Sequence, residues 1–463
     1  MVFDLEKKPP KAIAAVQEDG EILTYGELLQ KAEDLYGAIG GRTLAFILCK
    51  NALGALTGYV ACQVYGVVPL MLDSDLDQGL LDTLIHTYHP AYLWAPDERE
   101  IEGQKIYEDL GYSLYETGLT PYPLNDQLAL LLTTSGSTGS PKLVRQSRQN
   151  IDANAQSIAQ YLELTQEERP ITTLPMNYTY GLSIVNSHLL VGATLLLTTK
   201  GIMQKEFWSF FKEQGATSFG GVPYTYEMLK KLRIFRMDLP SLKTMTQAGG
   251  KLTPELHKEF AEFAQNTNRR FYVMYGQTEA TARMSYLPYQ RALEKYGSMG
   301  IAIPGGEFSL IDVDGKEIEQ PEVTGELVYR GPNVTLGYAQ QGEDLIKGDE
   351  RGGVLITGDM AKRDADGYYY IVGRKKRFLK IYGNRVNLDE CERMIKGQFA
   401  IDCACSGRDD LLVIFITDSA LEESVRKFIA EKTGLNIKAF EVRLIDAIPK
   451  SSSGKTLYKE LPL

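Results

Sequence analysis

Cysteine is scarce, and the few present form no framework. Cys49, Cys62, Cys391, Cys403 and Cys405 are odd in number and irregularly spaced. That pattern excludes a disulfide-built scaffold and points to a reducing cytoplasm. The Cys403/Cys405 pair has no second Cys/His pair nearby, so the spacing does not match a zinc site. Positive charge is also in deficit. The net charge is −10, which speaks against wholesale nucleic-acid binding, because a phosphate backbone would be repelled. Long hydrophobic runs are missing too. Residues 1–11 are charged and proline-containing, without the apolar core of a signal peptide. Residues 52–72 carry no charge but include Gln63, Pro69 and three glycines. A buried helix to about 64, a turn at Gly66 and a short strand explain them better than a membrane span.

What is present is ordinary globular material, 44% hydrophobic and 24% charged. A length of 463 residues corresponds to about two to three domains. Apolar β-type runs at 44–48, 128–133, 193–197, 218–222, 242–246 and 271–274 alternate with helical patterns such as 150–162 and 253–265. Thr253 is placed to cap the latter, with Pro254 at its first position. The alternation predicts α/β layers with largely parallel sheets. After about residue 297 the texture changes. Residues 308–313 and 316–318 around Asp314-Gly315 read as a hairpin, and 324–330 as another strand, forming a β-rich subdomain. A boundary falls near 374–376. Beyond it a helix at 389–395, a hairpin around 411–416, a helix at 421–431 and a strand at 440–445 make a small α+β domain. The expected division is a large domain over 1–375 and a small one over 376–463.

The sharpest chemical signal follows the strand at 128–132. It reads Thr133-Thr134-Ser135-Gly136-Ser137-Thr138-Gly139-Ser140-Pro141-Lys142. Small residues let a backbone approach phosphate closely, hydroxyls add donors, and Lys142 adds a cation. A flexible Ser/Gly surface loop is the plain alternative. The segment is not a Walker loop, since Pro141 precedes the lysine where that pattern needs glycine. Ser453-Gly454-Lys455-Thr456 also fails the pattern, with Pro449 at its first glycine. No G-x-G-x-x-G follows the first strand, which argues against a dehydrogenase.

The T-S-G-S-T-G-x-P-K run resembles the phosphate loop of the adenylate-forming superfamily, which includes acyl-CoA ligases, luciferases and peptide-synthetase adenylation domains. Further motifs follow in that superfamily's order. Leu23-Thr24-Tyr25-Gly26-Glu27-Leu28 is similar to its early segment, and Tyr275-Gly276-Gln277-Thr278-Glu279 to its Y-G-x-T-E. Gly325-Glu326-Leu327 with Gly337-Tyr338 matches a segment read as mainly structural, and Thr357-Gly358-Asp359 precedes Gly373-Arg374. Gly373-Arg374-Lys375-Lys376-Arg377 with Gly383-Asn384-Arg385 is similar to the hinge segment, and Pro449-Lys450 through Gly454-Lys455 to the C-terminal P-K-x-x-x-G-K.

The resemblance implies ATP, Mg2+ and a thiol acceptor, either coenzyme A or the phosphopantetheine of a carrier protein. It implies that Thr134, Ser135, Gly136, Ser137, Thr138, Gly139 and Lys142 bind phosphates. Tyr275 and Gly276 would meet adenine, with Gly250 and Lys251 also at the nucleotide. Thr278 would contact phosphate and Glu279 would hold Mg2+; one carboxylate plus phosphate oxygens suits magnesium. Asp359 would accept the ribose hydroxyls and Arg374 would reach the nucleotide. Lys455 is the implied lysine of adenylation, Lys376 the hinge, and Gly383 with Arg385 the thioester segment. The basic run 373–385 is either a solvated interdomain face or an attractor for acceptor phosphates. Pro175 to Gly181 matches a pocket-forming segment. Tyr178, Tyr224 and Gly249 are its acyl-pocket candidates, core packing being the alternative for the two tyrosines. No Asp lies between residues 175 and 187, so an α-amino acid is not the expected substrate. Departures include Leu143 after Pro-Lys and Thr456-Leu457-Tyr458-Lys459 in place of an Arg-rich tail, which keeps a carrier protein in view as acceptor. The expected activity is ATP-dependent activation of a small carboxylic acid to acyl-AMP, then transfer to a thiol, coenzyme A first and a carrier protein as the alternative; a non-catalytic nucleotide-binding protein is a distant third reading, against which Glu279, Asp359, Arg374 and Lys455 argue.

Overall fold

The computed structural model describes residues 2–133, 142–382, 384–450 and 456–462. Two large sheets dominate the N-terminal part, one of nine strands and one of eight. In the first, Ile13–Gln17, Leu195–Leu197, Pro170–Ile171, Ser218–Gly221, Thr244–Gln247 and Arg270–Tyr275 pair in parallel. In the second, Leu44–Cys49, Val68–Asp73, Tyr92–Pro96 and Leu128–Thr133 are parallel. Its remaining strands, Gln104–Asp109, Tyr112–Glu116, Leu143–Ser147 and Gly337–Ala339, pair antiparallel. The expectation of largely parallel sheets therefore holds for the centres and fails at the edges. Leu44–Cys49 is buried at every position, as a parallel strand covered on both faces must be.

The charge-free stretch is the helix Leu53–Tyr65, a turn at Gly66 and the strand Val68–Asp73. The helix is buried continuously from Leu53 to Gln63. It shares one core with Ala14, Ala15 and Leu195 of one sheet and with Ile47, Met71 and Leu130 of the other. A helix between two sheets has no solvent face, which explains its apolar girth. Among the described residues no helix is long and apolar enough to cross a membrane. The helix Pro254–Asn266 starts as expected, with Thr253 Oγ1 accepting from the Leu256 amide at 3.2 Å.

A separate four-stranded antiparallel sheet follows, from Glu307–Ile311, Gly325–Arg330, Val354–Arg363 and Tyr369–Arg374. The expected hairpin at 308–318 is present but short, with Asp312 N donating to the Lys316 carbonyl, Ile318 N to the Leu310 carbonyl and a bridge from Ile311 to Glu317. The Asp312 carboxylate takes the amides of Asp314 and Lys316, ending the strand early. Gly325–Arg330 is the full antiparallel partner instead. Next comes a hairpin of Phe378–Ile381 and Asn384–Asn387, within the segment that resembles a hinge. Then follow the helices Leu388–Phe399 and Glu422–Thr433 and a sheet of Cys403–Arg408, Leu411–Ile416 and Phe440–Leu444. One core of this C-terminal part draws only on residues from Leu379 to Val442. The whole is mixed α/β: layered α/β sheets, a β-rich sheet and a small α+β part.

Candidate functional site

The strand Arg270–Tyr275 delivers Tyr275 at the edge of the parallel region. Gly276 follows because the chain doubles back there. A Cβ at 276 would lie 1.5 Å from the Ala282 carbonyl oxygen, a position only glycine can take. The antiparallel strands Val354–Arg363 and Tyr369–Arg374 set Asp359 directly opposite Arg374. Three side chains then converge on the Asp359 carboxylate. Tyr275 Oη donates to Oδ2 at 2.5 Å, Gln277 Nε2 donates to the same oxygen at 2.9 Å, and Arg374 Nε lies 3.6 Å from Oδ1. Gln277 also donates to the Thr357 carbonyl at 3.1 Å. Burial raises the Asp359 carboxyl above its ordinary range, with Tyr275 and Arg374 opposing the rise. Burial, and then the Asp359 charge, push the Tyr275 phenol far above its ordinary value. Both effects keep Tyr275 protonated as a donor.

A second cluster forms around Glu279. The strand Gly337–Ala339 pairs with Leu143–Ser147, setting Tyr338 opposite Val144. Tyr338 Oη donates to Glu279 Oε1 at 2.7 Å. Lys142 Nζ sits 3.4 Å from the centre of the Tyr338 ring, and the Arg351 guanidinium 4.7 Å from it. Such cation–π contacts hold the cations near a carboxylate without neutralising it. Burial, then Glu279, push the Tyr338 phenol up to about 12. The Glu279 backbone is clamped too, its carbonyl accepting from Thr335 N at 3.1 Å and Thr335 Oγ1 at 3.0 Å. Thr278 is buried, and its carbonyl accepts from Gln146 Nε2 at 3.4 Å.

Gly249 adopts φ +81°, and a Cβ there would lie 2.7 Å from Tyr178 Oη. Tyr178 and Gly249 are thus adjacent. Burial pushes the Tyr178 phenol up to about 12. Tyr224 is 50% exposed on the first turn of the helix Pro223–Lys231, which removes core packing as its role. The buried tyrosine of that helix is Tyr226, whose hydroxyl donates to the Thr246 carbonyl at 2.8 Å. The Gly250 carbonyl accepts from Gln247 Nε2 at 2.8 Å. Lys251 Nζ donates to the Ile371 carbonyl at 2.9 Å, so here it ties the parallel sheet to the β-rich one.

Much of the basic run 373–385 is internally paired. Arg374 faces Asp359, Lys375 meets Glu326 at 2.7 Å, and Arg377 bonds Asp389 and Glu392 at 2.8 and 2.5 Å. Those pairings favour a structural role for these charges over an acceptor-binding one. Thr134, Ser135, Gly136, Ser137, Thr138, Gly139, Gly383 and Lys455 lie outside the described residues. Lys376 falls in the short turn Lys375–Arg377, and Arg385 pairs with Lys380 in the hairpin. Gln277, Tyr338 and Arg351 were not singled out from sequence. Only the Gly-Tyr dipeptide at 337–338 carried a signal, and it read as structural.

The layered α/β body thus carries one buried carboxylate held by Tyr275 and a second held by Tyr338, whose ring lies under Lys142. The family model described as AMP-binding enzyme matches residues 4–339, and the chain belongs to that family of AMP-forming acid–thiol ligases. It is 26% identical over 480 residues to 4-coumarate–CoA ligase-like 2 of Arabidopsis thaliana, covering 98% of this chain and 79% of that protein. It is 30% identical to peroxisomal OPC-8:0-CoA ligase 1 of the same plant, over 73% of this chain and 64% of that one. Among solved structures, the O-succinylbenzoate coenzyme A synthetase of Bacillus subtilis in complex with AMP superposes with a TM-score of 0.82 at 22% identity, covering 98% of this chain and 96% of that one.

Proposed function

We propose that the protein activates a small carboxylic acid with ATP, releasing pyrophosphate, and passes the acyl group from acyl-AMP to the thiol of coenzyme A. The observation that carries this reading is the pair of clusters at Asp359 and Glu279. In it, Asp359 accepts the ribose hydroxyls while Tyr275 presents its ring to adenine. Residues 134–139, Lys142, Thr278, Gly250 and Lys251 surround the phosphates and the rest of the nucleotide, and Arg374 reaches it from the β-rich sheet.

Among the described residues no group of three or more His, Cys, Asp or Glu side chains is placed to cage a metal. A single carboxylate suits magnesium, which keeps most of its shell for water and phosphate oxygens. Glu279 would hold the ion, which when bound neutralises phosphate charge. The chain itself aligns the acid carboxylate with the α-phosphorus and excludes water. Lys455 stabilises the charge that grows during adenylation. The small domain, 376–463, then turns about Lys376 and brings Gly383 and Arg385 to the site for thioester formation. Tyr178, Gly249 and Tyr224 border the acyl group. Five buried free thiols fit a reducing cytoplasm.

ATP–pyrophosphate exchange across a panel of carboxylic acids tests the first step, and acid-dependent exchange is expected. The acceptor is tested by offering coenzyme A and a phosphopantetheinylated carrier protein side by side. Faster transfer to the carrier would replace coenzyme A in this reading and leave adenylation intact.

A further inference from the structure

Among the described residues two arginines are almost wholly buried, Arg145 at 0% exposure and Arg283 at 2%. Their surroundings differ in kind. Arg145 is saturated: it pairs with Glu350 at 2.5 Å and donates to the carbonyls of Leu336, Tyr338, Lys347 and Gly348. Arg283 forms no ion pair among the described residues. Its Nε donates to Ser183 Oγ at 3.1 Å, and its Nη1 to Tyr161 Oη at 3.0 Å and Met274 Sδ at 3.2 Å. All three partners are neutral. Nη2 has no hydrogen-bond partner among the described residues. A buried guanidinium without a counter-ion is costly.

The chain is shaped to put it there. Thr281 and Ala282, at φ 53° and 89°, occupy the left-handed region in succession. Such strain persists only where the surroundings enforce it. Here Thr281 Oγ1 donates to the Asn333 carbonyl, and Asn154 and Asn333 amides both donate to the Arg283 carbonyl, at 2.9 and 3.0 Å. The side chain reaches the proposed acyl region. Its guanidinium lies 5.0 Å from the centre of the Tyr180 ring. Tyr180 Oη bonds Thr246 Oγ1 at 2.8 Å, and the Tyr178 and Tyr180 rings meet edge to face at 6.3 Å. Tyr178 in turn abuts Gly249.

We propose that Arg283 anchors a second carboxylate on the acid substrate, so that the enzyme activates dicarboxylic acids. This rests on the ligase reading above and names its substrate class. One carboxylate attacks ATP, while the other accepts from Nη2 and supplies the missing counter-charge.

The test is pyrophosphate exchange with straight-chain dicarboxylic acids from malonate to adipate, each against the monocarboxylic acid of equal carbon number. The wild type should favour a dicarboxylic acid by about tenfold or more in kcat/KM. Arg283→Leu should lower that value by about 100-fold and reverse the preference, with the KM for ATP unchanged. Arg283→Lys keeps a cation and should retain the preference at reduced rate. It carries the test if the leucine variant melts early. Exchange supported only by monocarboxylic acids, or a preference unaltered in Arg283→Leu, overturns the role of Arg283 and leaves the ligase reading standing. Exchange with no acid at all removes both.

Discussion

Tyr275 donates its phenolic hydrogen to Asp359 across 2.5 Å, although 84 residues separate them in the chain. The bond joins the end of a parallel strand in the α/β body to an antiparallel strand of the β-rich sheet. It fixes a carboxylate that is almost out of water. Burial raises Asp359 above its ordinary carboxyl range. A carboxyl raised in the folded state favours folding below its unfolded value, and that contribution is lost as pH climbs through the folded value. At neutral pH the ionised Asp359 therefore costs stability.

Asp359→Asn follows from that sign. It keeps an acceptor for Tyr275 and removes the buried charge. The melting temperature at pH 7 should stay level or rise, while AMP binding weakens by about tenfold to 100-fold, the worth of a hydrogen bond to a charged group. Calorimetric titration with AMP and a thermal melt of the same sample check both. A lower melting temperature with intact AMP binding would mean that the carboxylate serves the fold alone.

Glu279 invites a graded series. Glu279→Gln removes the carboxylate charge and should raise the magnesium concentration for half-maximal exchange by about tenfold or more. Tyr338→Phe removes only the 2.7 Å donor and keeps the ring under Lys142. Its shift should be smaller, about fivefold, in line with one hydrogen bond. Magnesium titration of pyrophosphate exchange measures both, and equal shifts would argue that the Tyr338 hydrogen bond matters as much as the charge it orients.

The residues that were legible in sequence share one property: they sit in short contiguous runs with distinctive chemistry. Tyr275 to Glu279, and Thr357 to Asp359, declared themselves without any knowledge of the fold. Tyr338 and Arg283 did not, because their meaning lies in partners 59 and 100 residues away, and Gln277, though inside the first run, bonds a carboxylate 82 residues away that the run does not disclose. A tyrosine after a glycine is common, and nothing local says that it will bond Glu279. The same holds for secondary structure. The buried strand Leu44–Cys49 and the helix Leu53–Tyr65 were readable from apolar runs. The edge strand Gln104–Asp109 is largely exposed, and Gly337–Ala339 is only three residues long. Such strands owe their pairing to neighbours and carry little periodic signal.

Arg377 links the two ends of the C-terminal part. It bonds Asp389 and Glu392 and stacks on Tyr458 at 3.7 Å, while Tyr458 Oη donates to Glu392 at 3.0 Å. Burial raises the Glu392 carboxyl above its ordinary range even with Arg377 opposing. Arg377→Ala leaves that carboxylate buried without its cation, which should cost about 3 to 5 kcal/mol at pH 7. The penalty exists only where Glu392 is ionised, so it should shrink as pH falls through the raised folded value towards the unfolded one. Denaturant titration at neutral and acid pH reads the difference, and a penalty independent of pH would point to lost packing on Tyr458.

The last prediction concerns Lys376, in the short turn Lys375–Arg377 between the β-rich sheet and the C-terminal hairpin. If the small domain turns after adenylation, a few backbone angles there must change widely. Proline holds φ near about −65° and removes an amide donor, so Lys376→Pro should trap one arrangement. The expected outcome is acyl-AMP formation close to normal, read as pyrophosphate release in a single turnover, with thioester synthesis reduced by about 100-fold or more. Lys376→Ala controls for the charge and should be mild. The two half-reactions must be measured apart, since steady-state turnover would merge them. Thioester formed at the normal rate by the proline variant would place the pivot elsewhere or leave the domains fixed. Loss of both half-reactions together, with a lowered melting temperature, would instead report that proline breaks the paired stretch around it. There Lys375 and Arg377 are already committed to Glu326, Asp389 and Glu392, so the turn has carboxylate partners on both sides, and only the backbone between them is left to rotate.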